Sequence, residues 1–142
     1  MLTSARNQLS GKVSAIHAGA VNDEVEITLA GGERVVAIIT RESTQSLDLA
    51  IGKDALALVK APWVILTVPE AGIRLSTRNR LEGTVKKVQV GAVNTEVEVA
   101  LAGGDSLVAI VTQDSALALG LAVGKPVVAY FKASHVIVGV RV

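Results

Sequence analysis

Ser4-Ala5-Arg6-Asn7 returns as Ser76-Thr77-Arg78-Asn79. The same 72-residue offset carries Gly19-Ala20-Val21-Asn22 onto Gly91-Ala92-Val93-Asn94, Leu29-Ala30-Gly31-Gly32 onto Leu101-Ala102-Gly103-Gly104, and Lys60-Ala61 onto Lys132-Ala133. No gap is needed, and roughly half of the aligned positions are identical, which marks an internal repeat. The 142 residues therefore divide into two small units, residues 4–70 and 76–142, rather than one medium domain. A unit of about 65–70 residues has a marginal core by itself. The junction, residues 69–75, is short and holds Pro69 and Gly72, which predicts that the two units touch.

Within a unit the patterning is that of strands. Residues 24–29 alternate polar and apolar, as a half-buried strand does, and residues 96–101 keep the same apolar phase. Gly31-Gly32 supplies positive φ for a tight turn into residues 34–40. Residues 12–18 read as the preceding strand, leading into the corner at 19–22. Residues 41–48 read as a short helix with Ser43 or Thr44 near its start, and Gly52 ends that excursion. Residues 54–60 and 63–68 are the last two strands, with Pro62 at the bend between them. Three strands, a short helix and two strands is the order of a five-stranded Greek-key barrel of the OB type; an SH3-like barrel is the rival. The predicted fold class is all-β: two tandem OB-like five-stranded Greek-key barrels, each with a short helix between strands 3 and 4.

Composition removes several function classes. Half of the chain is apolar, too much for disorder, and the net charge of +1 is too small for a polyanion binder that works by bulk attraction. With no Cys there is no disulfide framework, thiolate metal site or Cys nucleophile. No apolar run spans a bilayer, because Lys60, Pro62, Gly124, Lys125 and Pro126 interrupt the best candidates. The first residues lack the basic start and long apolar stretch of a signal peptide, so a cytoplasmic location is expected. The apolar content exceeds what two small barrels need inside, which places part of it in interfaces between barrels and subunits.

Core residues are kept between copies for packing, so the retained polar residues are more telling. They are Ser4/Ser76, Arg6/Arg78, Asn7/Asn79, Asn22/Asn94, Glu24/Glu96, Glu26/Glu98, Thr40/Thr112, Ser43/Ser115, Lys53/Lys125 and Lys60/Lys132. One Arg, two Lys, several hydroxyls and two amides per unit form a donor-rich set of the kind that holds an oxyanion. Simpler roles exist for some of them: Ser43 and Ser115 as helix caps, Asn22 and Asn94 as turn residues, the glutamates as a solvated strand face, Lys53 and Lys125 as surface charge. Arg6-Asn7 and Lys60-Ala61 resist such dismissal. His17 aligns with Gln89, and His135 with Trp63, so neither belongs to a duplicated catalytic or metal site. No Ser/His/Asp constellation recurs, and the Gly-Gly turns are not phosphate loops. Trp63, Tyr130 and Phe131 do not recur as a set either, which argues against a nucleic-acid-binding OB module with aromatic platforms.

The run Thr3-Ser4-Ala5-Arg6-Asn7-Gln8-Leu9 followed by Gly11-Lys12-Val13, then Gly19-Ala20-Val21-Asn22-Asp23-Glu24-Val25, the Gly31-Gly32 turn, Thr40 and Lys60-Ala61, resembles the Mop domain, a small molybdate-binding module. The second copy repeats the set in order, so the resemblance covers nearly the whole chain and points to tandem-Mop cytoplasmic molybdate-binding proteins. It implies a non-enzymatic role in storing or buffering molybdate, with tungstate also accepted and no organic cofactor. It implies a homotrimer of six Mop domains, with no nucleic-acid or membrane partner. One implied class of site uses Ser4, Arg6, Asn7, Thr40, Ser43, Lys60 and Ala61, and Ser76, Arg78, Asn79, Thr112, Ser115, Lys132 and Ala133. Ser134 stands where the first copy has Pro62 and adds a hydroxyl beside Lys132-Ala133, so the copies are expected to differ in affinity. A second class, near a threefold axis, uses Ala20, Val21 and Asn22, and Ala92, Val93 and Asn94. In both, the oxyanion is bound whole with no protein–metal bond. A tetrahedral dianion asks for short hydrogen bonds from N–H, hydroxyl and amide groups with a cation or two, which is what the retained residues supply.

Overall fold

The structure is a computed structural model describing residues 2–142. The first unit runs β1 (Asn7–His17), β2 (Asn22–Leu29), β3 (Arg34–Thr40), α1 (Arg41–Ser46), β4 (Asp54–Val59) and β5 (Ile65–Thr67). The second runs β6 (Asn79–Val90), β7 (Asn94–Leu101), β8 (Ser106–Thr112), α2 (Gln113–Ala118), β9 (Pro126–Phe131) and β10 (Ile137–Gly139). The fold is the expected one: mostly β, with two curled five-stranded sheets and a short helix after the third strand of each unit. Alternation builds the strands. In β2, Asp23, Val25, Ile27 and Leu29 are buried while Glu24, Glu26 and Thr28 are half-buried on the other face. A bulge at Ser14 in β1, and another at Lys86 in β6, breaks the register and adds curl.

The sheets exchange their last strands. Their orders are β10-β4-β1-β2-β3 and β5-β9-β6-β7-β8. Ile137, Val138 and Gly139 pair with Leu58, Ala57 and Leu56 of the first unit. Ile65, Leu66 and Thr67 pair with Tyr130, Ala129 and Val128 of the second. Each barrel is thus completed by the other unit's fifth strand. Val64, Leu66, Val136 and Val138 are buried there, and the buried apolar residues of both units join in one cluster. Part of the apolar surplus lies, as expected, between the barrels.

Several local expectations need correction. The fourth strand of the first unit ends at Val59, and Ala61–Trp63 form a single 3-10 turn, so Trp63 is not in the last strand. Pro62 lacks an N–H for a ladder and fixes its φ, while the Trp63 N–H donates back to the Lys60 carbonyl at 3.0 Å. Ala133–His135 make the matching turn. The helix is shorter than residues 41–48 and is capped by Thr40 rather than Ser43 or Thr44. In the β2–β3 turn only Gly32 has positive φ, at 97°. Gly31 serves close approach instead: a Cβ there would stand 2.6 Å from the Gly103 carbonyl carbon, and one on Gly103 2.6 Å from Gly31 Cα. These two aligned glycines meet where the units are related to each other.

Candidate functional site

Thr40 ends β3 and caps α1. Its Oγ1 accepts the Ser43 N–H at 3.1 Å, and the two hydroxyl oxygens lie 2.7 Å apart. Thr112 does the same for α2, accepting the Ser115 N–H at 3.1 Å and donating to Ser115 Oγ at 2.8 Å. The cap role weighed for the serines belongs to the threonines, and the result is a hydroxyl pair at the end of each third strand.

The other unit brings cations to each pair. Arg78 forms an ion pair with Glu24, which sits opposite Ile38 on β3. Asn79 clasps Val36 of β3: its Oδ1 accepts the Val36 N–H at 2.7 Å and its Nδ2 donates to the Val36 carbonyl at 2.8 Å. The turn Ala133–His135 packs on the same strand. The Ser76-to-Asn79 and Lys132-to-Ser134 segments therefore lie along β3, which runs up to Thr40. A groove of about 510 Å³ joins Asn22, Thr40, Ser43 and Ser46 of the first unit to Ser134 of the second. The mirror arrangement holds at β8. Arg6 pairs with Glu96, Asn7 clasps Val108 at 2.7 and 2.8 Å, and the Ala61–Trp63 turn packs on the strand ending at Thr112. Ser4 and Lys60 share a cavity of about 180 Å³ with Thr3, Ala5, Leu58 and Ile137. One composite groove, at Thr40, is thus lined by both units; at Thr112 the same segments approach by the repeat, while the cavity at Ser4 and Lys60 borders Ile137 and includes neither Thr112 nor Ser115.

The donors differ in what remains open to a ligand. The amides of Asn7 and Asn79 are buried and already committed to strand backbone. Each arginine is half-exposed and meets its glutamate through Nη1 alone, so the rest of the fork faces outward. The hydrogen bond that Arg6 donates to Glu96, reinforced by the carboxylate's charge, pushes the Arg6 pKa up, so this guanidinium stays cationic. Lys60 reaches over the Trp63 ring, 5.4 Å from its centroid. Trp63 in turn stacks on His135, with 4.7 Å between ring centroids. These are aligned positions of the two units, so His135 is part of the contact between them rather than an ordinary surface residue.

The corner residues of the second implied class stand apart. Ala20, Val21, Ala92 and Val93 are exposed, the two valines by 72% and 75%. The Val21 carbonyl accepts the Arg41 N–H at 2.8 Å. Asp23 Oδ1 accepts the Gly19 N–H at 3.1 Å, whereas in the second unit the Gly91 N–H finds the Asn94 carbonyl at 2.8 Å. Asn22 faces the groove at Thr40 as well, so the two residue classes adjoin there.

Some roles escaped the sequence. Glu24 and Glu96 are not a plain solvated face but partners of the other unit's arginines; their joint retention with Arg6 and Arg78 was the available signal. Lys53 is not idle surface charge, since its Nζ donates to the Leu47 and Asp48 carbonyls at 2.8 and 3.2 Å and closes the C-terminal end of α1. Lys125 binds Glu70 in the junction, and this hydrogen bond holds the Glu70 carboxyl below its ordinary range. A depressed carboxyl stabilises the fold above its unfolded pKa and loses that contribution as pH falls through the folded one. An NMR titration should therefore find the Glu70 midpoint below that of an unstructured glutamate, and Lys125→Ala should raise it toward the ordinary value, with the backbone hydrogen bond at Glu70 holding part of the lowering. Ser46 was missed because its counterpart is Ala118, so retention between copies could not flag it. Among the described residues no cluster of three or more His, Cys, Asp or Glu forms a metal site, and no helix is long and apolar enough to cross a membrane.

Comparison with known proteins places this geometry. The TOBE domain family matches residues 3–66 and again 75–138. The molybdenum transport protein ModE of Herbaspirillum seropedicae is 45% identical over 141 residues, which is 99% of this chain and 52% of that protein. The molybdenum-pterin-binding protein MopA of Rhodobacter capsulatus is 45% identical over 137 residues, 96% of this chain and 52% of that one. The chain thus spans about half the length of the curated relatives it matches. A crystal structure of the cytoplasmic molybdate-binding protein ModG, with molybdate bound, superposes with a TM-score of 0.94 at 51% identity, covering 99% of this chain and all of that one. Two TOBE matches in tandem, a full-length structural counterpart and Mop-type relatives agree with the motif order read along the sequence, and the chain belongs to the TOBE family as a tandem pair of Mop-type domains.

Proposed function

We propose that this chain is a molybdate-binding protein, not an enzyme, which takes up the tetrahedral dianion whole at its two composite clefts. The observation that carries this is the duplicated approach across units: each unit's arginine reaches the β-hairpin that ends at the other unit's hydroxyl pair, and the groove at Thr40 also takes in Ser134 of the second unit. In one cleft Thr40 and Ser43 act with Ser76, Arg78, Lys132, Ala133 and Ser134; in the other Thr112 and Ser115 act with Ser4, Arg6, Lys60 and Ala61. Arginine and lysine supply charge-assisted hydrogen bonds, hydroxyls and backbone N–H groups complete the shell, and selectivity over smaller sulfate comes from fixed donor positions. Tungstate, with the same charge and shape, fits the same donors. Units 4–70 and 76–142 each give half of every cleft, so ligand ties them together and stabilises the fold. ModG and MopA, named for molybdate and molybdenum-pterin binding, support the ligand class.

The exposed corners Ala20-Val21-Asn22 and Ala92-Val93-Asn94 form the second class when three chains gather around an axis. Retention of exposed Val21 and Val93, and of exposed Ile65 and Ile137, supports a homotrimer of six domains. Storage or buffering of molybdate in the cytoplasm is the role that suits such a binder. Equilibrium dialysis against molybdate in excess sulfate should show saturable uptake. Arg78→Ala and Lys132→Ala should each weaken one class of sites by about tenfold to a hundredfold, the worth of a hydrogen bond to a charged group. No saturable uptake refutes the proposal, and unchanged uptake in both variants refutes the residue assignment. Bound molybdenum per chain, taken with the solution mass, should be non-integral if corner sites lie on a symmetry axis.

A further inference from the structure

The two proposed clefts are related by the repeat, yet the polar residues that line the groove at Thr40 are not all matched at the counterpart positions of the other. Two polar lining positions of the groove at Thr40 lose their hydroxyl in the other copy, and both changes favour the same cleft. Ser46, on α1, has Ala118 as its counterpart; Ser134, on the turn of the other unit, has Pro62. The two serines come from different units and line one groove with Thr40 and Ser43. Ser46 Oγ donates to the Ser43 carbonyl at 3.3 Å, while Ser134 Oγ makes no hydrogen bond to the described residues. Proline removes more than a hydroxyl, because it also has no backbone N–H. The cleft at Thr112 therefore lacks two donors beside its Lys60-Ala61 step that the cleft at Thr40 has beside Lys132-Ala133.

We infer that the two clefts bind a fully deprotonated tetrahedral oxyanion with unequal affinity, that the cleft at Thr40 fills first, and that the residue after the Lys-Ala step, Ser134 or Pro62, sets the order. This rests on the functional reading above and names its regulation. A backbone N–H only donates, so it rewards an oxyanion whose four oxygens are all acceptors and offers no acceptor for the hydroxyl of a protonated one. Each donor aimed at a charged ligand is worth about tenfold or more in affinity. The turns themselves are interchangeable. Lys60 has φ −69° and ψ 133°, Lys132 has φ −73° and ψ 139°, and both turns close with a 3.0 Å hydrogen bond to the lysine carbonyl. Exchanging the residue therefore changes donors and leaves the backbone path in place.

Isothermal titration of the full chain with sodium molybdate tests this. The wild type should show two cleft classes separated by about tenfold or more. Ser134→Pro should weaken the tight class by about tenfold to a hundredfold, since two donors are lost, and bring the clefts close to equality. Pro62→Ser should strengthen the weak class. Ser134→Ala, which keeps the N–H, should fall between the wild type and Ser134→Pro. Titrations of Ser134→Pro and Pro62→Ser that superpose on the wild type, with binding intact, overturn the inference and leave the functional reading standing. A wild-type chain that takes up no molybdate overturns both.

Discussion

Deleting residues 136–142 is expected to loosen the first unit, although the cut is made at the end of the second. Strand β10 is the outer neighbour of β4, with Ile137 opposite Leu58 and Gly139 opposite Leu56. Val136 and Val138, 2% and 7% exposed, belong to the core. Each buried valine contributes about 1.5–3 kcal/mol, so the pair alone approaches the lower end of the roughly 5–15 kcal/mol that holds a domain together. Removing the strand also bares the backbone edge of β4. In the truncated chain, hydrogen exchange should lose protection first in β4, at Leu56 to Leu58. β9 should keep its protection, because β5 still covers its edge. A loss confined to β9 and the rest of the second unit would mean that each unit keeps its own last strand, and the exchanged topology would fall.

That exchange was not legible in the chain, and the reason is physical. Apolar patterning over residues 65–67 and 137–139 reveals that a strand forms, but not which edge receives it. The repeat makes the choice harder, since β4 and β9 hold equivalent places in the two units and each presents a backbone edge. Only the short junction hinted that the units are bound closely. Local features fared better. The alternation of β2 and β7, the Gly-Gly turns and the position of the helix all follow from near-neighbour chemistry and stand where the pattern put them. The site divides along the same line. Retention between copies picked out the Ser, Arg, Asn and Lys segments, because function and interface both resist drift. It could not show that Arg78 meets Glu24 across 54 residues of chain, or that Arg6 meets Glu96 across 90. Alternation made those glutamates look solvated, which is true of their strand and untrue of their surroundings. Ser46 lay beyond reach because it occurs once.

Replacing Asn79 with alanine should cost stability, and replacing its neighbour Arg78 should cost binding. Arg78 immediately precedes Asn79, the first residue of β6, and the two side chains take different partners, Glu24 and Val36. Asn79 is 1% exposed and holds both the N–H and the carbonyl of Val36. Its removal leaves two part-buried backbone groups of Val36 without their partner, each costing up to about 1–3 kcal/mol, and opens a gap between the units. A loss of about 2–4 kcal/mol is expected, read as a lower denaturation midpoint with an unchanged slope. Asn79→Asp should fare little better, because a carboxylate cannot donate to the Val36 carbonyl. Asn7→Ala should behave alike through Val108. Arg78 and Glu24 form an ion pair whose arginine is 55% exposed, and an exposed pair contributes at most about 1 kcal/mol. Arg78→Ala should therefore leave the midpoint nearly in place while weakening molybdate uptake. If instead Asn79→Ala were as stable as the wild type and lost only uptake, the amide would belong to the ligand shell and not to the clamp. On the proposed function, the retention of both side chains in each copy has a plain cause: the Asn fastens the neighbouring unit, and the Arg beside it supplies the cation that the ligand needs.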